Sequence, residues 1–209
     1  NGQDTAVTSP KLRAVLAHLA IHVRQPVTVD ALVHEVWQDR PPRSATNTLQ
    51  TYIHHLRQLL GPDAGRPVVH TLPGGYRLDV EPHMLDYVRF EDAVRDGRAA
   101  LDAGDPYKAG ERLRDGLALW RGSALANVDG PVARAEAARF DGLRLDALEA
   151  RIEADLACGR HTDVVGELDA LVHQYPWREA FVGQLMVALY RCGRQADALA
   201  RYRDTHERL

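Results

Sequence analysis

Between Arg40 and Pro62 the chain carries no carboxylate, while Arg40, Arg43, Arg57, the pair His54-His55 and the amides and hydroxyls of Asn47, Thr48, Gln50, Thr51 and Gln58 fill the same stretch. These side chains share one chemistry. They exchange hydrogen bonds and offer positive charge, with no negative charge to repel an anion. A nucleic-acid duplex presents donors and acceptors on its base edges and anions along its backbone, so the stretch is suited to lie on one. Ordinary solvated helix faces carry Glu and Lys four residues apart, and neither occurs in residues 40–62.

The elements that must hold these residues follow from spacing. Ser9-Pro10 is a hydroxyl N-cap with proline at the first helical position, and Leu12, Val15, Leu16, Leu19 and Val23 repeat at helical intervals, which predicts a helix of about 14 residues. Pro26 ends it. Thr28 caps a second helix with Val29, Leu32, Val33, Val36 and Trp37 as its apolar stripe, and Asp39-Arg40-Pro41-Pro42-Arg43 forces a turn. Ser44 caps a third helix that runs to Gly61-Pro62. Ala45, Leu49, Tyr52, Ile53, Leu56 and Leu60 share one face of it. Asn47, Thr51, His54 and Gln58 lie nearly opposite, flanked by Gln50 and Arg57 on one side and by Thr48 and His55 on the other. Val68 to Leu72 and Tyr76 to Val80 flank Pro73-Gly74-Gly75 and read as a β-hairpin with a glycine turn. Three helices followed by a hairpin is the order of a winged helix-turn-helix, which lays its third helix in the major groove and its hairpin tip on the adjacent backbone.

The character of the chain changes near Glu81-Pro82. Lys and Arg exceed Asp and Glu by 2 in residues 1–80 and fall short by 5 in residues 81–209, within a total of −3, and the first part also holds six of the ten histidines. The expected domains are therefore 1–81 and 82–209. From Leu85 on, the pattern is helical. Leu156 to His161 matches Tyr190 to Gln195, and Asp163 matches Asp197, at an offset of 34 residues. That is the tetratricopeptide period, with glycine at the turn between paired helices. A looser copy begins at Gly104-Asp105, with Ala109, Leu113, Leu117 and Trp120. Such pairs bury their apolar faces only by stacking, and the stack leaves a concave surface for a protein partner. The expected fold class is mainly α: an N-terminal winged helix-turn-helix and an all-α repeat domain.

No apolar run approaches the ~18 residues of a membrane span, and no secretory signal opens the chain, which predicts a soluble, cytoplasmic, nucleoid-associated protein without a membrane partner. Cys158 and Cys192 sit outside any CxxC pair and are expected as buried, reduced thiols. No GxSxG, GxxxxGK[ST], HExxH or strand-following GxGxxG occurs. His161, His173 and His206 lack metal-ligand spacing. The expectation is no catalytic residue, no metal and no cofactor.

The strings KLRAVLAHLA, LVHEVWQDRPPRSATNTLQTYIHHLRQLLG and TLPGGYRLDV, in this order, resemble the OmpR-type winged helix of the Streptomyces antibiotic regulatory proteins. LDYVRFEDAV, LALWRG and HQYPWREAFVGQLMVALYRCGRQADALARYR resemble the bacterial transcriptional activation domain that follows it in those regulators. The resemblance covers nearly the whole chain. It implies a sequence-specific activator of antibiotic or other secondary-metabolite genes that binds direct repeats in double-stranded promoter DNA as a tandem homodimer. It also implies recruitment of RNA polymerase holoenzyme through the sigma factor, with the C-terminal domain of the alpha subunit as a further contact. Carried over by position, Asn47, Thr48, Gln50, Thr51, His54, His55, Arg57 and Gln58 face DNA from the recognition helix. Arg43 and Arg57 hold phosphates, Trp37 sits at a phosphate-touching position, and His70, Thr71, Pro73 and Gly74 form the wing contact.

The chain departs from OmpR-type domains at His54, His55 and Pro73, where arginine is common, so binding is expected to be less dominated by charge. Imidazoles of ordinary pKa would strengthen affinity as pH falls through about 6.5. Only Asn1 to Val7 precede the first helix where such domains begin with a sheet, and the helical pattern still runs at Leu209, which reads as part of a larger regulator. The competing reading is a repeat-based adaptor whose winged domain touches protein only. A carboxylate-free third helix has no purpose there, and DNA affinity would lack salt dependence.

Overall fold

Both hydroxyl caps form as their residue types imply. Ser9 Oγ accepts from Leu12 N at 3.5 Å and Thr28 Oγ1 from Ala31 N at 3.2 Å. The structure, a computed structural model, describes residues 7–63 and 66–206. Among them the helices are α1 Pro10–Ile21, α2 Val29–Trp37, α3 Ala45–Leu60, α4 Asp86–Asp102, α5 Pro106–Leu117, α6 Pro131–Ala157, α7 His161–Gln174, α8 Glu179–Arg191 and α9 Gln195–His206. The strands are β1 Val27–Thr28, β2 Pro62–Asp63, β3 Arg66–Pro67, β4 Val69–Leu72 and β5 Gly75–Leu78. The architecture is the expected mainly α one, with a winged helix followed by helical pairs.

The chain forms two compact units, Asn1–Val88 with Arg121–Gly142, and Arg89–Trp120 with Leu143–Leu209. The segment 121–142, which includes the start of α6, belongs to the first of these units.

In the first unit Leu12, Val15 and Leu19 of α1, Leu32 of α2, Leu49, Ile53 and Leu56 of α3, and Val69, Tyr76 and Leu78 of the hairpin form one core. Burying each large aliphatic side chain contributes about 1.5–3 kcal/mol, so these residues fix the angle at which α3 is presented. Several details differ from the sequence expectation. Helix α1 has 12 residues. Leu60 is 39% exposed and lies off the core, because it is the last residue of the helix. Ser44 makes no side-chain cap. Its carbonyl instead accepts from Thr48 N at 2.9 Å and from Thr48 Oγ1 at 3.0 Å.

The hairpin turn is the two-residue Pro73-Gly74, with Leu72 opposite Gly75 and Gly74 at φ +75°, a conformation open to glycine. Gly75 therefore belongs to β5 and not to the turn. It pairs with Thr28, and any Cβ there would collide with the Val27 carbonyl of β1. The resulting sheet order is β1-β5-β4, all antiparallel. The expected truncation of an N-terminal sheet falls on residues 1–6, outside the described residues.

In the second unit the 34-residue repeat has a backbone signature. Gly104, Gly159 and Gly193 sit at φ +76°, +80° and +78°. The residue after each donates to a carbonyl five positions back: Asp105 N to Ala100 O, Arg160 N to Asp155 O and Arg194 N to Leu189 O, all at 2.9 Å. This left-handed termination satisfies the carbonyls of the ending helix and turns the chain into the next one. Ile152, Leu168, Phe181 and Leu185 are fully buried between α6, α7 and α8. Asp155 is buried as well. It receives Arg114, Arg151 Nη1 at 3.1 Å and Arg160 Nε at 2.9 Å, while Arg151 also reaches Glu167. Cys158 and Cys192 are half-buried rather than buried, with Cys192 Sγ 3.6 Å from Thr162 Oγ1.

Candidate nucleic-acid interface

The apolar spacing of α3 decides which side chains remain free. With Ala45, Leu49, Ile53 and Leu56 turned into the core, Asn47, Gln50, Thr51, His54, His55 and Gln58 are all exposed. Thr51 Oγ1 donates to Asn47 O at 3.2 Å, as Thr48 does to Ser44 O. Both hydroxyl protons are thus committed inside the helix, which leaves oxygen lone pairs and methyl groups for contact. His54 and His55 have ring centroids 6.2 Å apart and tilted planes. The exposed stripe is a hydrogen-bonding surface without carboxylates.

Its positive charge comes from elsewhere. Arg40 and Arg43 are exposed in the loop before α3 and pair with no described carboxylate. Lys11 stands over Trp37, 5.3 Å from the ring centroid, and Trp37 stacks on Tyr52 of α3 at 6.2 Å. Trp37 therefore ties the front of the winged unit to α3 and carries a cation beside it. Lys11 escaped the sequence reading because it lies far from the stretch it serves.

Arg57 is placed differently from its expected phosphate role. It is half-buried, and it donates through Nε to Val69 O at 2.9 Å and through Nη2 to Thr71 Oγ1 at 2.7 Å. It latches α3 to β4 and engages the wing residue Thr71 at the same time. Side chains of β4 and β5 are also held internally, together with Arg24. Asp79 gathers Arg77 Nη2 at 3.1 Å, Arg24 Nε at 3.5 Å and His70 Nε2 at 3.7 Å, and Arg24 reaches Glu81 as well. Pro73 and Gly74 are exposed at the hairpin tip. If Arg57 is a latch, Arg57→Met weakens binding to all duplexes and leaves the dependence of log K on log salt unchanged. A phosphate contact would instead reduce that slope by about 1, which a salt titration resolves.

A second feature missed by the sequence reading lies behind the interface. Glu35 of α2 is 1% exposed and accepts from Val132 N and Ala133 N, both at 3.0 Å, capping α6 from 97 and 98 residues away. Gly130 is required there, since a Cβ would strike the carboxylate. The legible signal was a glutamate three residues after Leu32, on the face that the apolar stripe buries. His18 Nδ1 is 3.6 Å from Glu35, and His22 stacks on His18 at 4.8 Å. Burial holds the His18 pKa below its ordinary 6.5. Glu35 opposes the shift and His22 adds to it. The unfolded chain thus binds a proton at this site before the folded one does, and stability present above about 6.5 is lost as pH falls toward the lowered value. The winged unit is expected to melt at a lower temperature near pH 5.5 than near pH 7.5, with the difference reduced in His18→Gln. An undiminished difference in that variant would assign the effect to another group.

No described helix is long and apolar enough to cross a membrane, and no group of three or more metal-ligating side chains occurs among the described residues.

Comparison with known proteins adds to this geometry. The model of the bacterial transcriptional activator domain matches residues 85–209, and that of the transcriptional regulatory protein C-terminal domain matches residues 2–78. The chain is 41% identical over 207 residues to the regulatory protein DnrI of Streptomyces peucetius, covering 95% of this chain and 76% of that protein. It is 40% identical over 208 residues to the transcriptional regulator RedD of Streptomyces coelicolor, covering 97% of this chain and 59% of that one. The structure of Mycobacterium tuberculosis EmbR in complex with a low-affinity phosphopeptide matches with a TM-score of 0.91 at 37% identity, over 96% of this chain and 54% of that chain.

Proposed function

The chain belongs to the Streptomyces antibiotic regulatory protein family of transcriptional regulators, with a bacterial transcriptional activator domain behind an OmpR-type winged helix, and from that premise we propose that it is a sequence-specific DNA-binding activator. One observation carries the reading: seven exposed hydrogen-bonding side chains on α3, with no carboxylate from Arg40 to Pro62 and two arginines at the helix's N-terminal side that pair with no described carboxylate. A helix of this kind fits the major groove, where Asn47, Gln50, Thr51 and His54 meet base edges while Arg40, Arg43 and Lys11 hold phosphates.

The further steps follow from the same premise. Two protomers occupy adjacent direct repeats in a promoter, one helical turn apart, as a tandem homodimer formed on DNA. The helical unit and the free surface of the winged unit then present RNA polymerase holoenzyme with a contact for its sigma factor and for the C-terminal domain of the alpha subunit. The stacked helical pairs support a protein-binding role, since such arrays expose an extended surface. Control of secondary-metabolite genes is the regulatory output this reading assigns.

Selection from a randomised duplex pool, with the best binder titrated at two salt concentrations, tests the proposal. An enriched tandem motif with a steep salt slope supports it, whereas no enrichment and no slope leave a protein-docking adaptor. On the enriched site, Thr51→Ala should cost about 1 kcal/mol and relax preference at one base position, with little change on random duplex. Equal losses on both would remove Thr51 from base reading.

A further inference from the structure

Guanine is most commonly read by an arginine or lysine that forks onto its O6 and N7, whereas adenine is read by an asparagine or glutamine amide on N6 and N7, and thymine by apolar contact with its methyl group. The exposed stripe of α3 contains no arginine or lysine at all. The single arginine in α3, Arg57, is spent on Val69 O and Thr71 Oγ1, so two of its three nitrogens already donate to the wing. What remains outward is two amides near the start of the helix, Asn47 and Gln50, a third at Gln58, two imidazoles, and a threonine whose hydroxyl proton is bound to Asn47 O.

We propose that this helix reads adenine–thymine pairs: Asn47 and Gln50 carry adenine specificity through their amides, Thr51 contacts a thymine methyl, and Arg57 acts as a positioning residue that keeps the helix's one arginine, the side chain that would fork onto guanine, out of the groove. The inference rests on the DNA-binding reading above. His54 and His55 do not alter it, because one imidazole N–H donates to purine N7, an acceptor that adenine and guanine share. Arg40 and Arg43 lie in the loop ahead of the helix and serve the backbone, which carries no sequence information. Loss of the latch has a specific consequence. Releasing Arg57 by Thr71→Val frees Nη2 and gives the helix a cation that can turn toward guanine.

The test uses the full chain and the duplex enriched in the selection. Adenines and guanines in each repeat are replaced singly by their 7-deaza analogues, which keep Watson–Crick pairing and delete the N7 acceptor. Loss of about tenfold in affinity at one or more adenines, the size of one amide–adenine pair, with any loss at a guanine abolished in a His54→Ala, His55→Ala double variant, is the expected result. Asn47→Ala or Gln50→Ala should abolish the sensitivity at its own adenine and no other, a readout that mere loss of helix stability would not produce. Losses at guanines that persist in the double histidine variant would overturn the inference and leave the DNA-binding function standing. A pool with no enriched sequence would overturn both, so the two failures are distinguishable.

Discussion

Asp155→Ala is expected to lower the stability of the helical unit by about 3–5 kcal/mol, read as a fall in the urea midpoint of that unit's transition. The carboxylate is 4% exposed and is the shared acceptor of Arg114, Arg151 and Arg160, from α5, α6 and the turn before α7. Arg151 is itself buried, so removing Asp155 leaves a guanidinium in the interior with Glu167 as its remaining partner. The attraction within such a group is offset by the cost of desolvating it, so the group as a whole adds little net stability, but deleting one member exposes the full cost. Asp155→Asn keeps the volume and one acceptor oxygen and should lose roughly half as much. A loss below about 1 kcal/mol for alanine would mean that water reaches the arginines and that the cluster does not organise the repeats.

The second large effect is expected at Glu35. Glu35→Ala should destabilise the winged unit by about 3 kcal/mol, since each hydrogen bond to a charged acceptor contributes roughly 1.5–3 kcal/mol and the amides of Val132 and Ala133 are left without it. The carboxylate also sits against the positive end of the α6 dipole, which adds to the loss. Glu35→Gln retains one acceptor oxygen and should fall between wild type and alanine. Amide hydrogen exchange locates the effect: Val132 and Ala133 lose protection in Glu35→Ala and one of the two loses it in Glu35→Gln, while amides of the helical unit from Leu143 onward keep theirs. Unchanged protection at these two amides would show that α6 starts without the carboxylate. DNA affinity is expected to fall only as the folded fraction falls, because Glu35 is buried behind the interface.

The parts of this molecule that could be read from sequence are those set by short, repeated spacing. The positions Ala45, Leu49, Ile53 and Leu56 place the core side of α3, and the exposed stripe follows as its complement. The glycines 34 residues apart announce the helical pairs because each must take the same left-handed turn with the same backbone bond after it. What could not be read depends on side-chain reach across the chain. Strand β1 has two residues, too few for a period, and is defined by pairing with Gly75 some fifty residues later. Arg57 carries the charge of a phosphate contact, and only the position of β4 turns it into a latch. Glu35 looks like a flaw in an apolar stripe until the start of α6 arrives above it. In the candidate interface the exposed amides and histidines were legible, whereas the withdrawal of the wing cations onto Asp79 was not.

The outward stripe of α3 is expected to meet DNA directly. Asn47, Gln50 and Gln58 report on it directly, because their side-chain amide protons give resolved nuclear magnetic resonance signals in an isotope-labelled chain. Titration with the enriched duplex should shift and sharpen the signals of Asn47 and Gln50, and shift Gln58 less, while those of Gln174, Gln184 and Gln195 in the helical unit stay in place. Saturating DNA that leaves Asn47 and Gln50 unmoved would contradict the account.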